Sequence, residues 1–346
     1  MDNKKIIVRK VLKKDLPLLA KYLSEKALPK YPSNEYIRRF NFWWLKNPAF
    51  SKHDIYGWIM LESSKKKKIK GFLGNIPVDY RINGKIYHTV SASTWVVNPE
   101  CRKYSIYLYF SYLKQNKDLF LNSTPADITN HIFTKTNFVD IAKMQNNYLN
   151  LMSYSPIYYL LKKLIKYNYL NIIISKFIFF SYQALFRIKL NNKKLNIKYE
   201  IVTSLVEIDK LLKKKKVQLI NFDWVLKSDS NKYFLRILNR NKSNNFIYMQ
   251  YVDSPTNNLK YIQVLETDVI SANIIKNIIL NVATKYNYSL DYIILCNSNI
   301  NKMFYGPFIK FNFLSKSKCL IKSDKVNIKN IIPNGSFGEK GFVIWN

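Results

Sequence analysis

The chain is 346 residues long, enough for two domains rather than one small core. Hydrophobic residues make up 48% and aromatics 15%, which excludes a globally disordered chain. Lys and Arg number 56 against 22 Asp and Glu, a net charge of +34 that taken alone suggests a polyanionic partner. Lys, Asn, Ile and Tyr are abundant together while Gly, Ala and Arg are scarce, the composition AT-rich codons produce. The lysines are also spread along the chain, with runs only at Lys65–Lys68 and Lys213–Lys216. Nucleic acid is therefore not expected as a partner.

Ile6 to Val11 alternates and reads as a first strand. Lys14-Asp15-Leu16-Pro17 starts an amphipathic helix with Leu16, Leu19 and Tyr22 on one face. Tyr36 to Leu45 is a second helix with a heavy aromatic face, ended by Asn47-Pro48, and its Trp43 and Trp44 read as core. Strands follow at Tyr56–Glu62 and Ile69–Val78, on either side of a turn at Lys65–Lys68. Val78–Ile82 and Lys85–Val90 flank Asn83-Gly84, a strong hairpin signal. Ala92 to Val97 is an alternating strand stopped by Asn98-Pro99-Glu100, and a helix starts near Tyr104 and runs to about Lys117. Arg102 and Lys103 sit between them, where unpaired helix N–H groups and the helix dipole favour an anion such as phosphate. A strand at Leu119–Ser123, a helix from about Asp127 to Lys135 and a strand at Phe138–Ala142 complete the order β-α-α-β-β-β-α-β-α-β.

This order resembles the GNAT superfamily of acyl-CoA-dependent N-acyltransferases, and particular residues carry the resemblance. Val96-Val97-Asn98-Pro99-Glu100-Cys101-Arg102 looks like the end of that family's fourth strand, usually V-x-P-E-x-R. Arg102-Lys103-Tyr104-Ser105-Ile106-Tyr107 lies on its pyrophosphate signature R/Q-x-x-G-x-G/A, with Ser105 and Tyr107 in place of the two glycines. Phe133-Thr134-Lys135-Thr136-Asn137-Phe138 lies on its later Y-x-K-x-G-F signature, with Phe133 for the tyrosine and Asn137 for the glycine.

Residues 146–196 depart from the pattern and read as a helical connector without a periodic strand. Tyr167 to Phe186 is its most lipid-like part, but Asn168, Asn171, Lys176 and Gln183 interrupt it, so it falls short of the roughly 20 apolar residues a transmembrane span needs. Buried or interdomain helices are the expectation there, with contact to a membrane surface as the alternative. After the connector the first pattern returns. Ile197–Val202 and Ser204-Leu205-Val206-Glu207 repeat strand then helix, Asp223-Trp224-Val225-Leu226-Lys227 echoes Trp44-Leu45-Lys46, and Phe308 to Phe313 repeats F-x-K-x-N-F from Phe133 to Phe138. The second copy continues through Phe234–Leu238, Asn245–Val252, Lys260–Glu266, a helix from about Ser271 to Lys285, and Tyr292–Cys296. Where the basic loop should stand it has Val264-Leu265-Glu266-Thr267-Asp268, whose acidic residues would repel a pyrophosphate. The expected class is α+β: two tandem GNAT-like domains, each a mixed twisted sheet flanked by helices. The expected ranges are 1–145 with the acyl-CoA site, 146–196 as connector, and 197–346 as a degenerate copy.

The resemblance implies a gap between the fourth and fifth strands through which the pantetheine arm of acetyl-CoA or another acyl-CoA passes. Backbone groups of Lys103, Tyr104, Ser105, Ile106 and Tyr107 could hold the pyrophosphate, with Arg102 and Lys103 adding charge. Trp95, Val96 and Val97 could bond the pantetheine amides, and a backbone N–H near Val97 could stabilise the oxyanion. Tyr107 would have to turn its ring away from the ligand. Phe133 cannot protonate the leaving thiolate, which leaves Tyr104, Ser105 and His131 as acids and His131, His88, Asp127 and Glu100 as bases, His131 first among them. Asn122, Ser123 and Asn130 could position a relay water, and Glu100 reads as a turn residue.

The reading that follows is an N-acyltransferase acting on a primary amine. Its tandem layout is similar to enzymes that acylate nucleotide-linked amino sugars for surface polysaccharide such as lipopolysaccharide. The alternatives are a Fem-type transferase fed by aminoacyl-tRNA, which the net charge would suit, and a catalytically silent binding or scaffold module. Cys101, Cys296 and Cys319 form no CxxC or Cys/His cluster, which argues against a disulfide framework and a zinc site and fits a reducing cytoplasm. The first ten residues carry no apolar run of signal-peptide length, and no transmembrane span is expected.

Overall fold

The computed structural model describes residues 6–28, 30–63, 68–122, 127–140, 147–162, 164–165, 167–187, 197–212, 217–219, 232–238, 244–254, 258–269, 271–296, 309–310, 320–325 and 328. Strand β1 (Ile6–Lys10) leads through a short 3-10 turn into helix α1 (Leu16–Lys26), and α2 (Ser33–Phe40) continues as a π-turn over Asn41–Leu45. Trp43 and Trp44 are buried there, and the Trp44 indole N–H donates to the Asn75 carbonyl at 2.8 Å. Next come β2 (Gly57–Glu62), β3 (Ile69–Ile82) and β4 (Lys85–Val97). Asn83 and Gly84 both take positive φ, 50° and 83°, as the tight hairpin between β3 and β4 demands. A 3-10 turn (Pro99–Tyr104), α3 (Ser105–Leu113), β5 (Leu119–Asn122), α4 (Asp127–Lys135) and β6 (Val139–Asp140) complete the first half.

The helix expected from near Tyr104 to about Lys117 begins at Ser105, directly after the 3-10 turn, and stops early, at Leu113. Gln115 explains the stop. Its side-chain amide donates to the Tyr112 carbonyl and to Asn75 Oδ1, both at 3.0 Å, which turns the chain back onto β3.

The connector holds a strand that has no periodicity to betray it. β7 (Asn147–Leu151) precedes α5 (Ser155–Leu161) and α6 (Asn168–Arg187). Both edges of β7 are paired and Asn150 and Leu151 are buried, so it need not alternate. The second half follows as β8 (Lys198–Ile201), α7 (Leu205–Leu212), β9 (Val217–Leu219), β10 (Lys232–Leu238), β11 (Asn244–Ser254), β12 (Leu259–Thr267), α8 (Ala272–Lys285), β13 (Tyr292–Cys296), β14 (Ile309–Lys310) and β15 (Leu320–Lys322). Of the repeat echoes, residues 223–227 lie outside the described residues, and of 308–313 only 309 and 310 are described.

Two mixed sheets result. The first runs β1-β2-β3-β4-β5-β15-β6, with β9 paired to one end of β3, and the second runs β14-β7-β13-β12-β11-β10-β8. The same strand plan occurs twice, with one exchange. β15, from the end of the chain, fills the slot between β5 and β6, while β7, from the first half, fills the slot between β13 and β14. The halves also share a core in which Leu19, Phe40, Trp44, Phe72 and Ile76 pack in one cluster with Phe234, Phe246, Tyr248 and Leu265. On the opposite face of the first sheet, α3 and α4 cover Trp58, Leu73, Val90, Ala92 and Phe120.

Candidate functional site

Strands β4 and β5 run parallel but, among the described residues, pair only at Thr89–Leu119, Val90–Phe120 and Ser91–Leu121. β5 ends at Asn122, while β4 continues to Val97 on its other partner, β3. The sheet therefore splits into a V, and the inner arm of the V is the stretch the sequence singled out. Within that arm β4 bulges. Phe72 pairs with Val96 and Gly74 with Ser93, so Thr94 and Trp95 together face Leu73. Thr94 carries the bulge at φ 52°, a left-handed conformation that a β-branched residue adopts only under constraint. The extra residue also resets which side chains point where. Val90 and Ala92 face α3 and α4, and past the bulge Trp95 and Val97 regain that face while Val96 joins the opposite core.

Ladder alternation fixes the main-chain groups of the arm. The Asn98 N–H donates to the Lys70 carbonyl at 2.8 Å, so the N–H of Val97, one residue earlier, turns away from β3 toward the gap. At the apex the buried Tyr112 hydroxyl lies 3.0 Å from both the Val90 and the Leu121 carbonyls, one on each strand. Burial pushes its phenol well above the ordinary value, so it remains a neutral donor bridging the two strands where they part.

Beyond the arm, the Cys101 N–H bonds to Asn98 and the Ser105 N–H to Arg102, both within the 3-10 winding. Part of the loop's backbone donation is thus spent internally. The N-cap position of α3, Tyr104, has no side-chain cap. Arg102 and Lys103 are exposed. The Lys103 ammonium lies 5.0 Å over the Tyr104 ring, and that ring stacks on Tyr107 at 6.4 Å. Tyr107 is 56% exposed and therefore directed outward, while Ser105 and Ile106 are half-buried. Glu100 is a turn residue, as expected. Its carboxylate takes bonds from Lys70 at 3.1 Å and Asn98 at 3.2 Å, and the Asn98 oxygen accepts from the Tyr22 hydroxyl. The buried Cys101 thiol is pushed up by desolvation and by the neighbouring Glu100.

The wall opposite β4 is aromatic. Trp95 stacks on Tyr109 of α3 at 5.7 Å and meets the edge of Phe133 of α4 at 6.1 Å. The Tyr109 hydroxyl bonds Thr136, tying α3 to the turn that follows α4. Phe133 is fully buried and serves as packing. Sequence reasoning passed over Tyr109, and its three-residue step to Tyr112, about one helical turn, was the available signal. Asn130 lies one turn before Phe133 on the inner face of α4, and its side-chain oxygen is buried with no hydrogen-bond partner. His131 is on the outer face. Its Nδ1 lies 3.0 Å from the Ile128 carbonyl, which can only accept, so Nδ1 carries the proton and Nε2 is the basic nitrogen of the neutral ring.

Asn122 is buried at the end of β5, and Ser123 lies outside the described residues. His88 stands before the splay, paired 3.0 Å from Asp79 and 67% exposed, so the structure separates it from the gap. The side chain of Asp127 lies outside the described residues. Among the described residues no cluster of His, Cys, Asp or Glu could hold a metal ion.

No family model matches the chain, and no curated protein is similar to it in sequence. Solved structures do match in shape. A probable N-acyltransferase from Enterococcus faecalis aligns with a TM-score of 0.54 at 10% identity, over 93% of this chain and 73% of the other. GCN5-related N-acetyltransferases from Kribbella flavida (TM-score 0.55, 7% identity, 93% and 72% covered) and Anabaena variabilis (0.54, 10%, 92% and 73%) align similarly. At such identities the likeness is one of fold. The chain has the GNAT fold, built twice.

Proposed function

We propose that the chain is an N-acyltransferase that moves an acyl group from acetyl-CoA or another acyl-CoA to a primary amine. The observation that carries the reading is the split between β4 and β5, with its bulge and its inward-turned Val97 N–H. The donor fits the residues present. Asn130 Oδ1, buried without a partner, suits a pantetheine amide N–H, and Arg102 and Lys103 supply charge for the pyrophosphate. In the proposed mechanism the amine nitrogen attacks the thioester carbonyl carbon. The Val97 N–H stabilises the oxyanion, the C–S bond breaks, and coenzyme A leaves as the thiolate. The ammonium proton passes to a water held by Asn122 and Ser123, since His131 stands on the outer face of α4.

The acceptor we propose is the amino group of a nucleotide-linked amino deoxy sugar used in surface polysaccharide biosynthesis in the cytoplasm. Support for it is the resemblance in tandem layout. The proposed domains are 1–145, 146–196 and 197–346, with β7 and β15 exchanged between the sheets.

A thermal-shift titration tests the donor. Acetyl-CoA should raise the melting temperature in a saturable way, and Arg102→Glu should remove that rise by reversing charge at the pyrophosphate. No shift at saturating ligand would sink the proposal, and an unchanged shift in the variant would move the cofactor elsewhere. Acetyl transfer followed by mass spectrometry, with nucleotide amino sugars set against polyamines, then decides the acceptor.

A further inference from the structure

Helix α6 is built inside out. A helix on a water-soluble body normally buries its apolar stripe and shows its polar one. Here Asn171 and Ser175 are fully buried, bonded to one another, with Asn171 also donating to the Tyr158 carbonyl at 3.2 Å. On the same inward side the Tyr182 hydroxyl accepts from the Leu151 N–H, and Gln183 donates to the Leu151 carbonyl. The polar side thus anchors the helix to α5 and β7. The apolar side faces out, with Tyr169 78% exposed, Ile173 46%, Phe177 71% and Phe180 66%, recurring at the three- and four-residue steps of one helix face. Leu164, in the loop between α5 and α6, adds a side chain 80% exposed. The sequence expectation of buried helices is corrected at this point. Of the interruptions Asn168, Asn171, Lys176 and Gln183, Asn171 and Gln183 supply the attachment of the helix.

We infer that this face docks on the surface of an anionic lipid bilayer, with α6 lying in the interface. Charge selects the occupant. Residues 146–196 contain eight Lys and Arg and no Asp or Glu, a local excess with no acidic residue to offset it. Two such faces brought together repel, whereas an anionic leaflet attracts them. The composition is that of an interfacial helix, with aromatic and aliphatic side chains to enter the headgroup boundary and lysines such as Lys176 beside them. No helix among the described residues is long and apolar enough to cross a membrane, so α6 lies on the bilayer instead of spanning it. This inference stands apart from the acyl-transfer reading, since it uses no residue of the β4–β5 gap.

Cosedimentation of the full chain tests it, with vesicles of phosphatidylcholine alone and of phosphatidylcholine and phosphatidylglycerol in equal parts. The wild type should pellet with the mixed vesicles and much less with the neutral ones, and added salt should release it. Phe177→Asn with Phe180→Asn should lower the partition coefficient about tenfold or more per side chain, with an unchanged circular dichroism spectrum because both rings are exposed. Equal binding by the double variant, equal binding to neutral vesicles, or no binding to either would overturn the inference. Concentration-dependent dimerisation abolished by the same two changes, without vesicle binding, would also overturn it and assign the face to a second copy.

Discussion

The molecule makes the same strand-to-helix turn twice and finishes it in opposite ways. In the second half β12 bulges at Leu265, as β4 does at Thr94 and Trp95, so the backbone device is duplicated. The second turn then seals itself. Asp268 accepts the Phe246 N–H at 2.7 Å, the Thr267 hydroxyl donates to the Phe246 carbonyl, and Ser271 caps α8 by accepting from the Ile274 N–H. In the first half α3 has no side-chain cap, and the corresponding turn presents Arg102 and Lys103. A turn that meets its own donors and carries acid has no use for an anionic ligand. The first turn leaves Arg102 and Lys103 exposed, as the proposed pyrophosphate site requires, even though its own 3-10 winding has taken part of the backbone share.

The largest expected effect breaks the difference at the helix. α8 presents Ile275, Ile278, Ile279 and Val282 to its sheet, none able to bond a carbonyl, whereas α3 presents the Tyr112 hydroxyl at the apex of the V. Tyr112→Phe should cost about 2 kcal/mol, the scale of a buried carbonyl left unsatisfied, measured by urea denaturation. The acetyl-CoA thermal shift should fall with it, because the strands can then close toward one another. A variant as stable as the wild type would mean that the hydroxyl does not hold the split.

A smaller change isolates the second turn. Ser271→Ala should destabilise by about 1 kcal/mol, the usual worth of an N-cap, while leaving the acetyl-CoA shift untouched. Paired with Arg102→Glu, which should abolish that shift at little cost in stability, it separates a turn that serves folding from one that serves binding. Loss of the shift in Ser271→Ala would put the ligand in the wrong half.

Some of this was legible in the sequence for local reasons. Asn83-Gly84 announces its hairpin because few residues tolerate positive φ, and the Asn98-Pro99 break marks the end of β4 because proline cannot donate to the ladder. The bulge was hidden, since Thr94 carries a conformation its residue type disfavours and only the pairing with β3 reveals it. The exchange of β7 and β15 was hidden more deeply, because no local pattern records which strand will lie alongside. α6 shows a further limit, in that periodicity marks two faces of a helix without saying which one the protein covers. At the site, the basic loop was legible as a run of residues. Tyr109 and Tyr112 went unmarked in the sequence, because their roles come from α3 lying against the open strands.

The smallest expected effect concerns what ties the first turn to the sheet. The Glu100 carboxylate is held down to about 2, from an ordinary 4.5, by its own backbone N–H, then by Lys70 and Asn98. A lowered folded value means that the charged form is favoured in the fold. The contribution is therefore complete above pH 4.5 and disappears as pH falls from 4.5 to about 2. The side chain is 57% exposed, so solvent screens it and the effect on stability should be slight. Its use lies in the contrast, since the tie runs from the first turn through Lys70 on β3 to the buried Glu62. Glu100→Gln should melt slightly below the wild type at neutral pH, and the two curves should converge on acidification through that window. A gap that stays constant with pH would show that the carboxylate's charge does not hold the turn.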